Sequence, residues 1–317
     1  MVSRTFWIPR PSRRMTAKGI IQRSYKMMSI VEPRLLRRGR FTSNFERINK
    51  MFKSKPISSM KDAFDVSGKN VVITGGNRGI GKGITVAFAQ SGANVAILCR
   101  NLESGLKAVD EIKKYGGRYD CFRCDISDYN SVKAGAKKVF DAFSHVDVLI
   151  NNAGVATTVP FLTEEGLSEW HRVINTDLHG AANVVHEIAP AMRDRGMGGT
   201  IINISSVGGQ RVSGSKSHHN APYNAAKAGV DIFTRYLAVV LGDYGIRVNC
   251  IAPGPTHSDL DKDLPDSFIK TVENDLPAHR FGEPIEIGAL CVFLASPAGS
   301  QITGCVYPHD GGLLCIV

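Results

Sequence analysis

No stretch of the 317-residue chain is apolar over anything close to the roughly 20 residues that a membrane-spanning helix needs. The first residues also lack the apolar core of a secretory signal peptide. Cysteine does not occur before Cys99, and the seven cysteines are an odd number that lie mostly in apolar runs. The sequence therefore predicts no membrane span, and its cysteine usage is typical of a reducing compartment rather than of a disulfide scaffold.

One pair of cysteines, Cys121-x-x-Cys124, has the spacing of a redox or zinc pair. The chain has no second pair at metal spacing to complete such a site. We therefore expect both thiols to pack in and beside a strand, and the sequence predicts no metal site.

Acidic residues are nearly absent from residues 1–55, which hold two of them against 15 Lys and Arg. The rest of the chain holds 24 basic and 27 acidic residues, although the whole chain carries a net charge of +10. This asymmetry argues against nucleic-acid binding by the remainder of the chain.

The basic segment is open to three interpretations. It has the Arg-rich, acid-poor composition of a mitochondrial presequence, which would place the protein in the matrix rather than the cytoplasm. It is alternatively an unneeded leader ahead of a start at Met51 or Met60, or a basic arm for a membrane or RNA. In each case we expect a disordered or weakly helical leader over residues 1–59 and one folded domain over 60–317.

Beyond the leader, apolar runs alternate with helical patterns. This alternation predicts an α/β fold of the Rossmann type, a doubly wound parallel sheet with helices on both faces. Ligands of such sheets bind at the carboxyl ends of the strands. The predicted strands cover residues 71–74, 95–99, 118–123, 146–151, 200–205 and 246–251.

The first predicted strand runs directly into a glycine-rich turn and then into a helix. A helix N-terminus behind such a turn binds a pyrophosphate through free N–H groups and its positive dipole end. Gly75 permits the turn, Gly79 lets the backbone approach the phosphates, and Gly81 keeps the helix close to the strand. The turn therefore predicts a dinucleotide site that includes Gly75, Asn77, Arg78, Gly79 and Ile80.

Arg100 stands after the second strand, where an acidic residue would bind the ribose hydroxyls and repel a 2′-phosphate. Arg78 is available from the first turn, and two guanidinium groups suit a phosphate dianion. The pair favours NADP(H) over NAD(H), unless both arginines are simply solvated. Asp125, after the third strand, is placed to bond the adenine. Small residues after the fourth strand let the chain lie against the cofactor: Asn152, Ala153 and Gly154.

The fifth strand ends near Ser206, and Tyr223 and Lys227 follow at the i and i+4 spacing of one helix face. A carbonyl that accepts hydride must also be protonated. Tyrosine, with a free pKa of about 10, needs a nearby ammonium group to become a useful acid and base. A serine hydroxyl can hold the substrate oxygen in place. These residues predict an oxidoreductase that acts on a small carbonyl or alcohol.

The order of these motifs resembles that of the short-chain dehydrogenase/reductase family, from about residue 68 to 312. The motifs are Thr74-Gly-Gly-Asn-Arg-Gly-Ile-Gly81, Asn151-Asn-Ala-Gly154, Ser206, Tyr223-x-x-x-Lys227, Pro253-Gly254 and Asp310-Gly-Gly312. The resemblance implies that Tyr223 is the acid/base, that Lys227 binds the nicotinamide ribose and tunes the tyrosine, and that Ser206 orients the carbonyl. It also implies a homodimer or homotetramer, and cofactor contacts from Pro253, Gly254, Thr256 and Ser258.

Two features depart from that family. Asp177 stands where an asparagine usually holds a water of the proton relay, so we include it among the catalytic residues as an altered member. Ser206 and Tyr223 are 17 residues apart, which is longer than usual, and the excess falls near His218 and His219. We expect these histidines to be surface residues rather than substrate contacts.

The substrate is less defined by the sequence. Polar residues at 259–263, in the segment that follows Ser258 and extends to about Arg280, favour a sugar, polyol or sugar acid. A 3-oxoacyl thioester is the alternative within the enzyme class. A catalytically silent nucleotide-binding or scaffold protein is the alternative of another class, supported only by Asp177.

Overall fold

The computed structural model describes residues 57–212, 220–258 and 265–316, which belong to one compact unit. Nearly all of the predicted leader, the two histidines of the long loop and the polar residues 259–263 lie outside the described residues. The strands are β1 Asn70–Thr74, β2 Asn94–Cys99, β3 Tyr119–Arg123, β4 Val148–Asn151, β5 Gly199–Ile204, β6 Ile246–Pro253 and β7 Val306–His309.

Helices connect these strands. They are α1 Met60–Ala63, α2 Gly79–Gln90, α3 Leu102–Ile112, α4 Tyr129–Phe143, α5 Glu164–Ile174, α6 Gly180–Arg195, α7 Ala221–Gly242, α8 Asp266–Asp275 and α9 Pro284–Ala295. Residues Asn175–His179 join α5 to α6 with the wider spacing of a π turn, so that one helical rod carries a bulge in its middle. Such bulges occur frequently at functional sites.

All seven strands are parallel and lie in the order β3-β2-β1-β4-β5-β6-β7. Val71 of β1 pairs with Val95 of β2 on one side and with Val148 of β4 on the other. The strand order therefore reverses between β1 and β4, which is where an open α/β sheet forms its ligand crevice. The predicted doubly wound sheet is confirmed.

The sequence analysis did not predict β7. This strand is short, contains Pro308 and lies at the edge of the sheet. Proline removes a ladder donor and is tolerated mainly on edge strands, so the strand has a weak pattern in the sequence.

Alternate residues of the strands bury on opposite faces and form two cores. Val71 and Ile73 belong to the core beneath α2, α3 and α9, whereas Val72 and Leu149 belong to the core beneath α4, α6 and α7. The two cysteines of the predicted pair divide in the same way. Cys121 lies in the first core and Cys124 in the second, and burial raises the pKa of the Cys124 thiol to about 12. These thiols pack against the sheet, as the sequence analysis predicted.

Among the described residues, no helix has both the length and the apolar character needed to cross a membrane. The same residues contain no cluster of three or more His, Cys, Asp or Glu side chains that could hold a metal ion.

Candidate active site

The glycine turn between β1 and α2 is closed by backbone contacts that exclude side chains. Gly75 and Gly79 adopt positive φ angles of 67° and 49°, a conformation that costs glycine no steric energy. A Cβ atom on Gly81 would lie 2.1 Å from the carbonyl oxygen of Gly75. The first turn of α2 therefore begins directly against the turn, with its N–H groups directed toward the crevice.

The end of β4 holds this turn from the other side. Thr74 Oγ1 accepts hydrogen bonds of 3.0 Å from the backbone N–H groups of both Asn152 and Ala153. Asn152 Nδ2 donates to the carbonyl oxygens of Thr74 at 3.0 Å and Gly75 at 3.3 Å. The two predicted motifs thus form one structural unit across the switch point, and the turn's carbonyl groups are satisfied within it.

Two arginines stand at the outer end of this crevice. Arg78 immediately precedes α2, and Arg100 immediately follows β2, whose neighbour in the sheet is β1. Both side chains are exposed, and neither has a hydrogen-bond or ion-pair partner among the residues that the structure describes. Asn77, by contrast, donates a 2.7 Å hydrogen bond to Ser104 Oγ and so fixes the turn to α3. Two cations are therefore available at the end of the crevice where the adenosine ribose is expected.

Asp125 lies just beyond β3. Its Oδ1 atom accepts hydrogen bonds from the backbone N–H and the hydroxyl of Ser127, at 3.0 and 2.7 Å. The neighbouring Ile126 is buried, and its carbonyl accepts a 3.1 Å bond from Asn183 of α6. The Asp125 side chain is therefore held by its own turn at the carboxyl end of the sheet.

The centre of the site is a buried ion pair. Asp177 Oδ2 lies 3.2 Å from Lys227 Nζ, and only 2% of Asp177 and 4% of Lys227 are exposed. Asp177 Oδ1 accepts a 2.8 Å hydrogen bond from the N–H of Val155, and Lys227 Nζ donates to the carbonyl of Ile204 at 3.2 Å. Burial alone would lower the pKa of Lys227, but the Asp177 carboxylate beside it outweighs burial and raises that pKa above its ordinary value. Lys227 is therefore an ammonium group at neutral pH.

The π turn and a glycine make this pair possible. Asp177 lies in the turn Asn175–His179, whose wider spacing brings its carboxylate into the core of the domain. A Cβ atom on Gly154 would lie 2.8 Å from Asp177 Oδ2 and 3.2 Å from Lys227 Nζ. Gly154 therefore leaves the space that the ion pair occupies. The Asp177 carboxylate therefore contacts the Lys227 ammonium group directly.

Tyr223 and Ser206 lie beside the ion pair. Lys227 Nζ is 5.3 Å from the centre of the Tyr223 ring, on the same face of α7. Ser206 caps the 3-10 turn Val207–Gly209, where its hydroxyl accepts a 3.1 Å bond from the N–H of Gly208. A Cβ atom on Gly209 would lie 2.7 Å from the backbone of Lys227, so this turn packs directly on α7. The structure therefore brings Asp177, Lys227 and Tyr223 together and packs the turn that Ser206 caps on the helix that carries Tyr223 and Lys227.

The segment after β6, residues 253–258, lies across the carboxyl ends of the strands. The Gly254 N–H donates to His309 at 3.0 Å, and a Cβ atom on Gly254 would lie 2.7 Å from the Cα atom of Asp310. Thr256 is buried and forms a bridge with Gly282. A Cβ atom on Gly79 would lie 3.7 Å from Cβ of Ser258. The predicted segment 253–258 thus crosses from β6 to the glycine turn.

A line of buried amides beneath the ion pair was not predicted. Asn151 Nδ2 donates to Asn203 Oδ1 at 2.9 Å, and Asn203 Nδ2 donates to Thr234 Oγ1 at 2.8 Å. All three residues are buried and join β4, β5 and α7. Their signal in the sequence is an asparagine at the end of each apolar strand, in a position where an unpaired amide would be costly. These hydrogen bonds hold Asn203 in place and with it the next residue, Ile204, whose carbonyl accepts a hydrogen bond from Lys227.

Comparison with known proteins agrees with this geometry. Residues 75–314 match the protein family described as "Enoyl-(Acyl carrier protein) reductase". The chain is 40% identical over 247 residues to the 3-oxoacyl-[acyl-carrier-protein] reductase FabG of Chlamydia trachomatis, and this alignment covers 77% of the chain and 97% of the relative.

Solved structures are similar over nearly their whole length. A short-chain type dehydrogenase/reductase from Mycobacterium marinum is 33% identical with a TM-score of 0.77, covering 81% of this chain and 100% of that one. A gluconate 5-dehydrogenase from Burkholderia cenocepacia, in complex with NADP and tartrate, is 30% identical with a TM-score of 0.75, covering 82% and 100%.

Proposed function

The chain belongs to the short-chain dehydrogenase/reductase family of NAD(P)-dependent oxidoreductases, and from this membership we propose that it uses NADP(H) to interconvert a secondary alcohol and a carbonyl group. The observation that carries the proposal is the buried Asp177–Lys227 pair beside Tyr223 and Ser206. A scaffold protein would have no need to hold an ammonium group out of water beside a phenol, because a buried ion pair is often no more stabilising than apolar residues of similar volume.

The residues of the crevice fit a dinucleotide. The glycines of the turn have no side chains that would block the approach of a nucleotide to the backbone. The N-terminus of α2, which follows this turn, favours the binding of a phosphate group. The guanidinium groups of Arg78 and Arg100, which have no partner among the described residues, favour a 2′-phosphate and hence NADP(H). Further cofactor contacts are proposed from Ile80, Asp125 and the segment 253–258. When bound, the nicotinamide ring supplies or accepts the hydride.

The protein's own residues handle the proton and the geometry. In the reducing direction, Ser206 Oγ donates to the substrate carbonyl oxygen and fixes its position beside Tyr223. The Tyr223 hydroxyl gives its proton to that oxygen as the carbon receives the hydride. Lys227 stabilises the resulting phenolate, and Asp177 keeps Lys227 in place and charged. In the oxidising direction, the phenolate takes the proton back.

Two substrate classes follow from this site. A sugar, polyol or sugar acid is supported by the polar residues 259–263 and by the likeness to a gluconate 5-dehydrogenase. A 3-oxoacyl thioester is supported by the likeness to a 3-oxoacyl-[acyl-carrier-protein] reductase. NADPH oxidation measured against ketoses, keto-sugar acids and 3-oxoacyl thioesters separates them, because only one class should show saturable turnover. Failure of every carbonyl substrate would contradict the proposed function.

The outer face of α7 supports self-association. Ile232, Tyr236 and Val239 are 62%, 62% and 78% exposed and recur at helical spacing, which forms an apolar stripe. We propose that a second copy of the chain covers it, as the family resemblance implies. Light scattering should give the mass of a dimer or tetramer, and Tyr236→Glu should lower that mass. A monomeric native protein would contradict this proposal.

A further inference from the structure

Strands β5, β6 and β7 are parallel neighbours, so their carboxyl ends lie side by side at one end of the sheet. A segment beyond β7 contacts the residues that follow β5 and those that follow β6. We call residues 311–316 the strap. Asp310 sets its shape, because Oδ1 accepts a 3.0 Å bond from the N–H of Gly312 and Oδ2 a 2.8 Å bond from that of Leu314. Gly311 and Gly312 have positive φ angles of 62° and 89°, so the sharp turn at the start of the strap requires glycine.

The first contact of the strap is with the segment that follows β6. The N–H of Ala278, just beyond α8, donates a 3.0 Å hydrogen bond to the carbonyl of Gly311. A Cβ atom on Gly312 would lie 2.8 Å from Cγ of Pro277, which leaves no room for a side chain there. The strap therefore packs directly against Pro277 and Ala278, near the end of the segment that follows Ser258 and extends to about Arg280.

The second contact is with the exit of β5. Arg211 is five residues beyond Ser206, and its Nη1 atom donates hydrogen bonds of 2.6 Å to the carbonyls of both Leu313 and Ile316. The guanidinium group thus binds the second half of the strap at two points, Leu313 and Ile316. Hydrogen bonds from a charged donor are stronger than neutral ones, so this contact holds the strap firmly.

We propose that the strap is the wall that receives the part of the substrate beyond the reacting carbonyl, and that Arg211 is the positioning residue that holds this wall. The inference rests on the proposed function, which places the carbonyl between Ser206 and Tyr223. The rest of the substrate must then extend over the exits of β5, β6 and β7. The half-buried side chains there are apolar: Leu313, Leu314 and Ile316. The wall therefore contacts an apolar part of the substrate, and of the two proposed classes it favours the acyl chain of a 3-oxoacyl thioester over a sugar.

Arg211→Leu tests the proposal, since leucine keeps an apolar stem and loses both donors. With the carbonyl substrate found in the screen, KM should rise about ten- to hundredfold, the equivalent of a lost charged hydrogen bond. The kcat and the NADPH affinity should stay close to native, because Ser206, Tyr223 and the cofactor contacts are untouched. Arg211→Lys should recover part of the loss, because an ammonium group also donates to carbonyls. The matched control is Arg193→Leu, which should behave as native. Arg193 is an exposed arginine in the last turn of α6, near the amino end of β5 and away from the carboxyl ends of the strands.

A double-mutant cycle gives the sharpest outcome. A chain that stops at Gly312 should show the same rise in KM as Arg211→Leu, and combining the two changes should add nothing further. Additive effects, or a fall in kcat and cofactor affinity in place of the rise in KM, would overturn the proposal, because Arg211 would then act on the general structure. An unchanged KM in Arg211→Leu would overturn it as well. Absence of turnover in the native protein would instead reject the proposed function, and this inference with it.

Discussion

Both halves of the site contain close glycine contacts, but the longest-range clamp lies in one of them. In the half formed after β1 to β4, Gly81 faces the carbonyl of Gly75 at the switch point of the sheet. In the half formed after β5 to β7, the side chain of Arg211 binds the strap about 100 residues away in the chain. A close backbone contact accepts only glycine, so it leaves a spaced motif in the sequence. A side chain that binds a distant carbonyl leaves no such pattern. The close approach of Gly81 to Gly75 is therefore recognisable from the glycine spacing, whereas the contact of Arg211 with the strap is not.

The largest effect is expected where the two halves meet. Tyr223→Phe keeps the ring and removes only the hydroxyl, so kcat should fall by a factor of roughly 10²–10⁴, the usual contribution of a positioned acid or base. NADPH affinity, measured by fluorescence titration, should stay close to native. Native turnover in this variant would reject the catalytic assignment.

The buried ion pair should be the next most sensitive feature. Asp177→Leu leaves Lys227 unpaired, and breaking a buried pair typically costs roughly 3–5 kcal/mol, so we expect a large fall in the melting temperature and in turnover. Asp177→Asn keeps the volume and a hydrogen-bond acceptor and should retain substantial activity. An Asp177→Leu enzyme as fast and as stable as native would remove Asp177 from the mechanism.

The same pair has a pH signature. Because the pKa of Lys227 is raised in the fold, the stability it contributes is present below the ordinary lysine pKa of about 10.4 and is lost as pH rises through the raised value. Asp177→Asn removes the carboxylate that raises the pKa of Lys227 but leaves the burial that lowers it. The loss of stability should therefore occur at a lower pH in this variant. Melting temperatures between neutral and alkaline pH measure the difference, and superimposable curves would contradict it.

The glycine contacts of the first half should tolerate no side chain. Gly81→Ala places a methyl group against the carbonyl of Gly75, and overpacking of this kind costs about 1–3 kcal/mol. We expect a lower melting temperature together with weaker NADPH binding. Gly242→Ala is the control, because a Cβ atom there has no neighbour within 4 Å. Equal behaviour of the two variants would show that the close approach is not required.

Cofactor choice should depend on one side chain of the same half. Arg100→Asp removes a guanidinium group and introduces a carboxylate that repels a 2′-phosphate, so NADPH affinity should fall about 10- to 100-fold relative to NADH. Titration of both nucleotides against the native and variant proteins measures the change. If the native protein binds NADPH and NADH equally, the two arginines are only solvated surface residues.

The smallest effect is expected outside both halves. Among the described residues, the first helix begins at Met60, and the first core residues are Ala63 and Val66. A chain that starts at Met60 should therefore have the native melting temperature and specific activity. A large loss of either would show that the basic leader takes part in the fold or the site.

The order of motifs, the parallel sheet and the position of Tyr223 and Lys227 on one helix face were all predictable from the sequence. Strands bury continuous apolar runs, glycine turns have fixed spacing, and i, i+4 residues share a helix face, so each of these features is local in the chain. Three features depended on the tertiary structure: the direct contact of Asp177 with Lys227, the buried line of Asn151, Asn203 and Thr234, and the clamp of Arg211 on the strap. Each joins residues about 30 to about 100 positions apart, and the burial that gives such contacts their strength exists only once the sheet has brought its strand ends together.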